Sequence, residues 1–448
     1  MATKYDKIDL FENYPVPKAV MTLVLPSVAA TVVMMLYTLA DTYFVGMLDN
    51  AVETSAVTLA APVILAFNAI NNLFGIGCSS KISRALGEKD YDTVRITSSM
   101  GFYLAIISGI LFSLIVAVFN TPLLKLLGAD DITLASTKSY LFWTAICGAA
   151  PAILNVVMAQ IVKADGSANH AAIGTMSGCI LNVILDPIFI LPWGFNMGAA
   201  GAGCATFISN SVASLYFVAV IIIRRNKSFV TIDPKWFKPN AAILKDVCGV
   251  GIPGSVQNLL NVTGMTILNN FMSAYGAEAV SAVGISHKVS LLPLYIAMGI
   301  SQGIMALVGY NFASGNKQRM RDVISYTAKI IIGFMLVVTA VFVIFSGNII
   351  QLFMKNETIV SYGSEFLRAM SFAQPFLAVD FLAVGLFQAC GMGKKAFVFA
   401  ILRKIVLEIP AMIILNKIYP MYGLAYAQLC AELILAIVAI FEIRKLVE

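Results

Sequence analysis

The chain has 448 residues, of which 59% are hydrophobic and only 12% are charged, and its mean hydropathy is +0.86. Ordinary soluble domains carry roughly 25% charged residues, so the composition excludes a soluble globular protein and predicts one that is surrounded by lipid. The net charge of +6 is spread over separate short loops, which excludes a nucleic-acid-binding surface.

Apolar segments of membrane-spanning length follow one another along the whole chain. About 20 helical residues cross a hydrocarbon core of about 30 Å. The first half contains six such segments, at 19–45, 56–80, 96–119, 139–162, 171–193 and 200–223. The second half contains six more, at 247–272, 280–310, 324–346, 364–390, 398–416 and 422–443. The sequence therefore predicts an all-α integral membrane protein with twelve transmembrane helices.

The two halves of the chain resemble two copies of one six-helix unit, aligned at an offset of about 226 residues. The matched anchors are Pro26 with Pro253, Ser55 with Ser281, Gly77 with Gly303, and Gly166 with Gly391 or Gly393. An even number of spans per copy gives both copies the same orientation, so a pseudo-twofold axis along the membrane normal relates them as parallel repeats. We predict an N-lobe at 1–224, a cytoplasmic linker at 225–246 and a C-lobe at 247–448.

Basic residues are unevenly distributed between the two sides of the predicted membrane. Of the 30 Lys and Arg residues, twenty-four fall on the side of the N-terminus, Arg403 and Lys404 among them, and five fall on the other side. Lys288 lies within a span. Because positively charged loops are retained in the cytoplasm, both termini of this multi-pass cell-membrane protein are predicted to be cytoplasmic.

Two acidic residues of the first half lie within predicted spans, where a charge at the bilayer centre costs about 2.5 to 3.5 kcal/mol. Asp41 follows Tyr37 by one helical turn, and Asp186 follows Asn182 by one turn and precedes Pro187. Residues four apart share a helix face, so we expect one buried polar cluster. Two ionised carboxyl groups so close together in a low dielectric are energetically costly. At least one of them is therefore expected to bind and release a proton, as a proton-coupled site requires. The structural alternatives are an Asp41 that caps an outer helix end and an Asp186 that is hydrogen-bonded at a kink.

The second half contains buried-looking acids with less obvious roles. Asp380 either contacts a cationic substrate, forms a second ion site or bonds to a neighbouring helix. Glu432 and Lys288 either form a structural pair or extend towards the membrane surface. These alternatives stay open at the level of sequence.

Motifs of enzymes and of resident cofactors are absent from the sequence. There is no GxxxxGK[ST] segment for nucleotide binding, and the two histidines are not part of an HExxH motif. The seven cysteines show no CxxC spacing, which gives no support for a zinc site or a disulfide framework. We predict a protein that is not an enzyme and holds no cofactor.

Seven segments together resemble the multidrug and toxic compound extrusion (MATE) family, and most closely its MepA-like bacterial subgroup. In chain order they are LPSVAATVVMMLYTLADTYFVG, SRALGEKDYD, QIVKADG, NVILDPIFI, GAAGAGCATFISN, GIPGSVQN and GYNFASGNKQRMR. Their order across the two halves covers almost the whole chain.

The resemblance implies a monomeric export antiporter with two six-helix lobes around a V-shaped central cleft. It would move cationic or amphipathic drugs outward through the lipid bilayer in exchange for H⁺ or Na⁺. The positions that match the family's ion-coupling site are Asp41, Asn182, Asp186, Thr206 and Tyr37, and Na⁺, if used, would bind at the first three. Pro26 is the expected hinge of the first span. The expected substrate contacts are Asp380, Gln257, Asn261 and Asn155.

Two other classes share parts of this pattern. A lipid-linked precursor flippase of the same superfamily would have the same lobes and cleft, but it needs a strongly basic cavity, which the spans lack. A passive channel or an assembly subunit predicts no coupled acids and leaves Asp41 and Asp186 unexplained.

Overall fold

The computed structural model describes residues 4–448, with side chains from Lys7 onward. A short helix, α1 (Lys4–Glu12), precedes the first span. The N-lobe contains α2 (Val16–Gly46), α3 (Ala51–Gly87), α4 (Tyr91–Leu126), α5 (Leu134–Leu141), a π-helical turn (Phe142–Cys147), α6 (Ala149–Ala164), α7 (Ala168–Ile190) and α8 (Ala199–Ile223). The C-lobe contains α9 (Ala241–Ser273), α10 (Ala277–Ala313), α11 (Lys317–Gln351), α12 (Glu357–Ala389), α13 (Gly393–Ile401), a second π-helical turn (Leu402–Glu408), α14 (Ile409–Ile418) and α15 (Tyr422–Val447).

These helices form twelve membrane spans. Nine of the described helices are long and apolar enough to cross a membrane as they stand, and the segments Leu134–Cys147 and Ala149–Ala164 form a tenth span that is bent by 47°. The α9 helix and the continuous segment from α13 to α14 complete the set. The α9 helix carries several amide side chains, and the α13–α14 segment carries buried charges. The predicted all-α, twelve-span fold is confirmed.

Polar caps and glycines account for where many spans begin and end. Five helices start after an Asn or Asp whose side chain accepts a hydrogen bond from a backbone N–H two or three residues further on. These capping residues are Asn50, Asp90, Asn240, Asn316 and Asn356. Gly166 and Gly391, paired by the duplication, both end a helix in the left-handed region, with φ of +79° and +75°. The α9 helix begins at Ala241, inside the segment that the sequence assigns to the linker.

The two lobes meet through their first two spans. The α2 helix packs against α10, and α3 packs against α9. The α3–α9 crossing is very close: a Cβ atom on Gly251 would lie 1.9 Å from the carbonyl oxygen of Leu73, and one on Gly77 would lie 2.3 Å from that of Val247. Only glycine permits this approach of two helix backbones.

The two lobes share an apolar core at only one end of their helices. We call the face that carries both chain termini and the 224–240 connection the terminal face. Near it, one core cluster contains residues of both lobes, including Leu23 and Phe74 with Val247 and Ile304. Towards the opposite face the core divides into separate clusters, one built from N-lobe residues and one from C-lobe residues. The lobes are therefore joined near the terminal face and separate beyond it, which produces a V-shaped cleft.

Candidate ion-coupling site

The predicted polar residues of the N-lobe come together where α7 packs between α2 and α8. Asp186, on α7, is completely buried, and Asn182 lies one turn before it on the same face. Asp41 and Tyr37 are partly buried on α2, and Thr206 is partly buried on α8. The cluster therefore contains all five residues expected for ion coupling.

The side chain of Asn182 connects Asp186 to α8. With its amide oriented to satisfy its neighbours, the nitrogen donates to the two carboxylate oxygens of Asp186 at 2.8 and 3.2 Å. The amide oxygen then accepts from the Thr206 hydroxyl at 3.3 Å and from the Thr206 backbone N–H at 3.1 Å. The side chain of Tyr37 lies close enough to Thr206 to interact with it. A change at Asp186 can thus reach α2 through Asn182, Thr206 and Tyr37.

The two carboxyl groups of the cluster interact electrostatically with each other. Neither Asp41 nor Asp186 has a Lys or Arg partner within 4 Å in the part of the chain that the structure describes. Their surroundings consist of neutral amide and hydroxyl groups. A proton or a small cation that enters the site therefore meets two acids with no fixed counter-charge, the arrangement that reversible cation binding needs.

Tyr140 belongs to the same site but was not identified from the sequence. This buried side chain on α5 interacts electrostatically with both Asp41 and Asp186. It is remote from both acids along the chain, and the polar residues just before it, Ser136 to Ser139, do not single out the tyrosine. Only the packing of α5 beside α3 and α8 shows its place.

Asn155, which the sequence assigns to substrate contact, is tied to this network from α6. Its amide nitrogen donates to Oδ1 of Asn210 at 3.0 Å, and the Asn210 amide donates to the carbonyl of Thr206 at 3.0 Å. The Oδ1 atom of Asn155 is buried and has no hydrogen-bond partner among the described residues. That atom is available to a donor group that enters the lobe.

The predicted hinge residue, Pro26, lies inside α2, which continues through it as one helix. Proline removes one helical hydrogen bond because it lacks an N–H. One turn of α2 at this position is therefore held less tightly than the rest, although the helix is unbroken.

Gln257 and Asn261 lie on α9 just beyond its contact with α3. The hydroxyl of Ser255 donates to the carbonyl of Ala69 on α3 at 2.5 Å, and Asn258 and Leu259, which lie between the two predicted contacts, are exposed. The two predicted substrate contacts, both partly buried, are thus near the apex of the cleft.

The C-lobe places its acids differently from what the sequence suggested. The sequence analysis counted Arg403 and Lys404 among the basic residues on the N-terminal side, and this is wrong, because both are buried within the α13–α14 span. The π-helical turn has a wider register than an α-helix, and this register turns two consecutive basic residues into the lobe. Lys404 Nζ donates to both carboxylate oxygens of Glu408 at 2.7 Å.

Arg403 is the partner that the sequence could not assign to Asp380 and Glu432. Its Nε donates to Oε1 of Glu432 at 2.7 Å, and its Nη1 lies 3.5 Å from Oδ2 of Asp380, which is only 1% exposed. The suggested pairing of Glu432 with Lys288 is wrong, since Lys288 is exposed. Of the alternatives for Asp380, bonding to a neighbouring helix is the one realised in this structure.

Two parallel six-helix lobes around a cleft, with acids that lack a fixed counter-charge in one lobe, define a secondary membrane transporter. The family model described as MatE matches residues 26–188 and 253–414, once in each lobe. The chain belongs to this family, whose members are transporters and not enzymes.

Similar proteins match over nearly the whole chain. The multidrug export protein MepA of Staphylococcus aureus strain MRSA252 is 34% identical over 445 residues, which cover 99% of this chain and 97% of that protein. MepA of Staphylococcus haemolyticus is 32% identical over 99% of this chain and 96% of its own length.

Solved structures of similar transporters agree with this fold. A structure described as the outward-facing conformation of a multidrug resistance MATE family transporter has a TM-score of 0.92, at 26% identity over 98% of this chain and 97% of that one. A MATE structure in the straight conformation gives 0.92 at 26% identity, with 98% of each chain covered. One in the bent conformation gives 0.89 at 25% identity, with 98% of this chain and 97% of that one covered.

Proposed function

We propose that this protein is a multidrug efflux antiporter that exports cationic or amphipathic organic compounds in exchange for H⁺ or Na⁺. The observation that carries the proposal is the pair Asp41 and Asp186, held among neutral groups with no basic partner among the described residues. The buried acids of the C-lobe, in contrast, are each within 4 Å of Arg403 or Lys404. The similarity to multidrug export proteins supports the choice of substrate class.

The terminal face is proposed to be cytoplasmic. Although Arg403 and Lys404 are buried in a span, most of the remaining Lys and Arg residues still lie on that side, as the positive-inside rule requires. The cleft then opens to the outside of the cell, and the export step corresponds to release from an outward-open cleft.

Coupling is proposed to run through the Asn182 amide. In the unloaded state the carboxylate of Asp186 accepts from Asn182. When a proton or Na⁺ occupies Asp41 and Asp186, that acceptor is lost and Asn182 changes partner. The change reaches Tyr37 through Thr206, and α2 bends at the weakened turn around Pro26, which reduces the N-lobe volume available to the drug.

Substrate contact is proposed for Gln257, Asn261 and Asn155, which can exchange hydrogen bonds with a compound in the cleft. Asp380 contributes only when α12 moves away from Arg403, because both of its carboxylate oxygens are buried here. The flippase alternative is disfavoured. An anionic lipid-linked precursor needs a basic cavity, whereas the buried cations of the C-lobe are outnumbered by the acids that they contact.

The driving force is sufficient for export. One proton that moves inward through 100 mV releases about 2.3 kcal/mol. At one-to-one exchange this supports about a fiftyfold gradient of a neutral compound, because each factor of ten requires about 1.4 kcal/mol.

The test is ethidium transport by membrane vesicles that contain the protein, with a pH gradient or a Na⁺ gradient imposed separately. We expect transport under one of the two gradients, and its loss in Asp41→Asn and in Asp186→Asn. Asp131→Asn, which neutralises an exposed acid in a loop, is the matched control and should transport normally. Normal transport by Asp41→Asn would refute the coupling role. Absence of transport by folded wild-type protein under both gradients would favour the flippase.

A further inference from the structure

An open depression with a volume of about 380 Å³, called the cavity below, lies on the N-lobe, away from the coupling site. It is formed where α4, α5 with its π-helical turn, and the start of α8 come together. The residues that line it are Asn120, Lys138, Ser139, Phe142, Trp143 and Ala200. Asn120 is six residues from the end of α4 and Lys138 is four residues from the start of α5. At 1.5 Å per residue, both lie within about 10 Å of the opposite face, the depth of lipid headgroups.

The cavity arises from the bend in the span that contains α5 and α6. The π-helical turn Phe142–Cys147 and the 47° bend after it redirect the chain, so α5 and α6 pack at different angles. Backbone carbonyls freed by the turn are satisfied locally: the hydroxyl of Ser113 donates to the carbonyl of Ala145 at 3.1 Å, and that of Thr144 donates to the carbonyl of Tyr140 at 2.9 Å. The bend is thus supported by specific bonds.

The polar lining combines a positive charge with an unused acceptor. Lys138 has no acidic partner within 4 Å among the described residues. Oδ1 of Asn120 is buried and has no hydrogen-bond donor in the same part of the chain. A ligand that suits both groups carries an anionic oxygen for Lys138 and an N–H or O–H donor for Asn120.

The surroundings of the cavity are those of a lipid-facing surface. Phe142 in its lining is 47% exposed, and Phe119, next to Asn120 on α4, is 57% exposed. Trp143 lies in its wall, with its ring centroid 5.3 Å from that of Phe142. Tryptophan and lysine near the end of a span are typical of the membrane interface, where aromatic rings lie at headgroup level.

We propose that this cavity binds a phospholipid headgroup that carries hydrogen-bond donors, such as that of phosphatidylglycerol or phosphatidylethanolamine. The phosphate accepts from Lys138, the glycerol hydroxyl or the ammonium donates to Asn120, and the acyl chains lie along Phe119 and Phe142. The positive charge of Lys138 disfavours a cationic drug at this position. The site is distinct from the coupling residues, so its test is independent of the transport proposal.

The experiment is native mass spectrometry of detergent-purified protein titrated with phosphatidylglycerol, phosphatidylethanolamine and phosphatidylcholine. The variants are Lys138→Gln, Asn120→Leu and, as a matched control, Lys125→Gln, which removes an exposed lysine near the same end of α4. We expect Lys138→Gln to weaken retention of the first two lipids by about tenfold, the effect of losing one charge-assisted hydrogen bond. Lys125→Gln should bind them like the wild type.

The second variant tests the acceptor. Asn120→Leu should abolish the preference for phosphatidylglycerol and phosphatidylethanolamine over phosphatidylcholine, whose headgroup has no donor. Soluble glycerol phosphate, added as a competitor, should displace none of the lipid if the acyl chains contribute to binding. Equal losses in Lys138→Gln and Lys125→Gln, displacement of lipid by ethidium at this site, or binding of glycerol phosphate alone would each overturn the proposal.

Discussion

Arg403 holds two acids of the C-lobe interior in place, although it is only 5% exposed itself. Its bond to Glu432 is short and direct, while its contact with Asp380 is longer and leaves both oxygens of Asp380 without a hydrogen bond. With Lys404 and Glu408 included, three carboxyl groups face two cations. Loss of one cation from such a network leaves uncompensated charge in a region of low dielectric.

We expect Arg403→Met to destabilise the protein by about 3 to 5 kcal/mol, the usual cost of breaking a buried ion pair. Adding Glu432→Gln to that variant should recover part of the loss, because it removes one of the stranded charges. The measurement is the fraction of purified protein that remains monodisperse after heating.

Arg368→Met is the matched control. Arg368 is 45% exposed and lies 3.6 Å from Glu365, and exposed pairs contribute about 1 kcal/mol or less. Equal losses of stability in Arg403→Met and Arg368→Met would show that the C-lobe network does not stabilise the fold.

At the scale of helices, α1 is attached to both lobes on the terminal face. On the C-lobe side, Arg319 donates from Nε to the carbonyl of Phe11 at 2.6 Å and from Nη2 to that of Tyr14 at 2.7 Å. On the N-lobe side, Lys7 forms an ion pair with Asp165. The helix is too short to be stable alone, so its order depends on these bonds.

We expect Arg319→Lys to increase hydrogen exchange of residues 4–14, because a lysine cannot donate to two separate carbonyls in the fixed geometry of a guanidinium. Loss of about one charge-assisted bond should raise the local exchange rate by about tenfold. Arg321→Lys, an exposed neighbour on the same helix, should leave exchange unchanged. Unaltered protection of residues 4–14 in Arg319→Lys would mean that α1 is held by its apolar contacts, such as the stacking of Phe11 on Tyr310.

The membrane spans could be predicted from the sequence, because the composition of a segment is enough to tell a helix that lies in lipid from a loop that lies in water. The Asp41 and Asp186 cluster was also predictable, because each acid has a polar partner one turn away on its own helix. The position of Arg403 was not: basic residues in a predicted span are counted with the nearest charged side of the membrane, and the acidic partners of Arg403 lie on two other helices. The π-helical turns have no local sequence signature, so neither the inward register of Lys404 nor the cavity beside Lys138 could be predicted.

At the scale of the whole molecule, the closeness of α3 and α9 determines how the lobes meet. Ser80 and Ser255 donate across the seam between the lobes, to the carbonyls of Gln388 and Ala69, both at 2.5 Å. These bonds and the shared core cluster lie between the terminal face and the middle of the spans. Opening of that face therefore requires breaking a tightly packed contact, whereas the opposite halves of the lobes are already apart.

We expect Gly251→Ala to separate α3 from α9, because the new methyl group would lie 1.9 Å from the carbonyl oxygen of Leu73. Overpacking of this kind costs about 1 to 3 kcal/mol, and moving the helices apart relieves it. A cysteine introduced at Val247, buried in this seam, should therefore react faster with a water-soluble thiol reagent in the Gly251→Ala background. Gly249→Ala is the control: its Cβ would meet nothing within 4 Å, and alanine is favoured over glycine within a helix by about 1 kcal/mol. Lower stability in Gly249→Ala, or unchanged labelling in Gly251→Ala, would mean that the seam is not limited by this backbone contact.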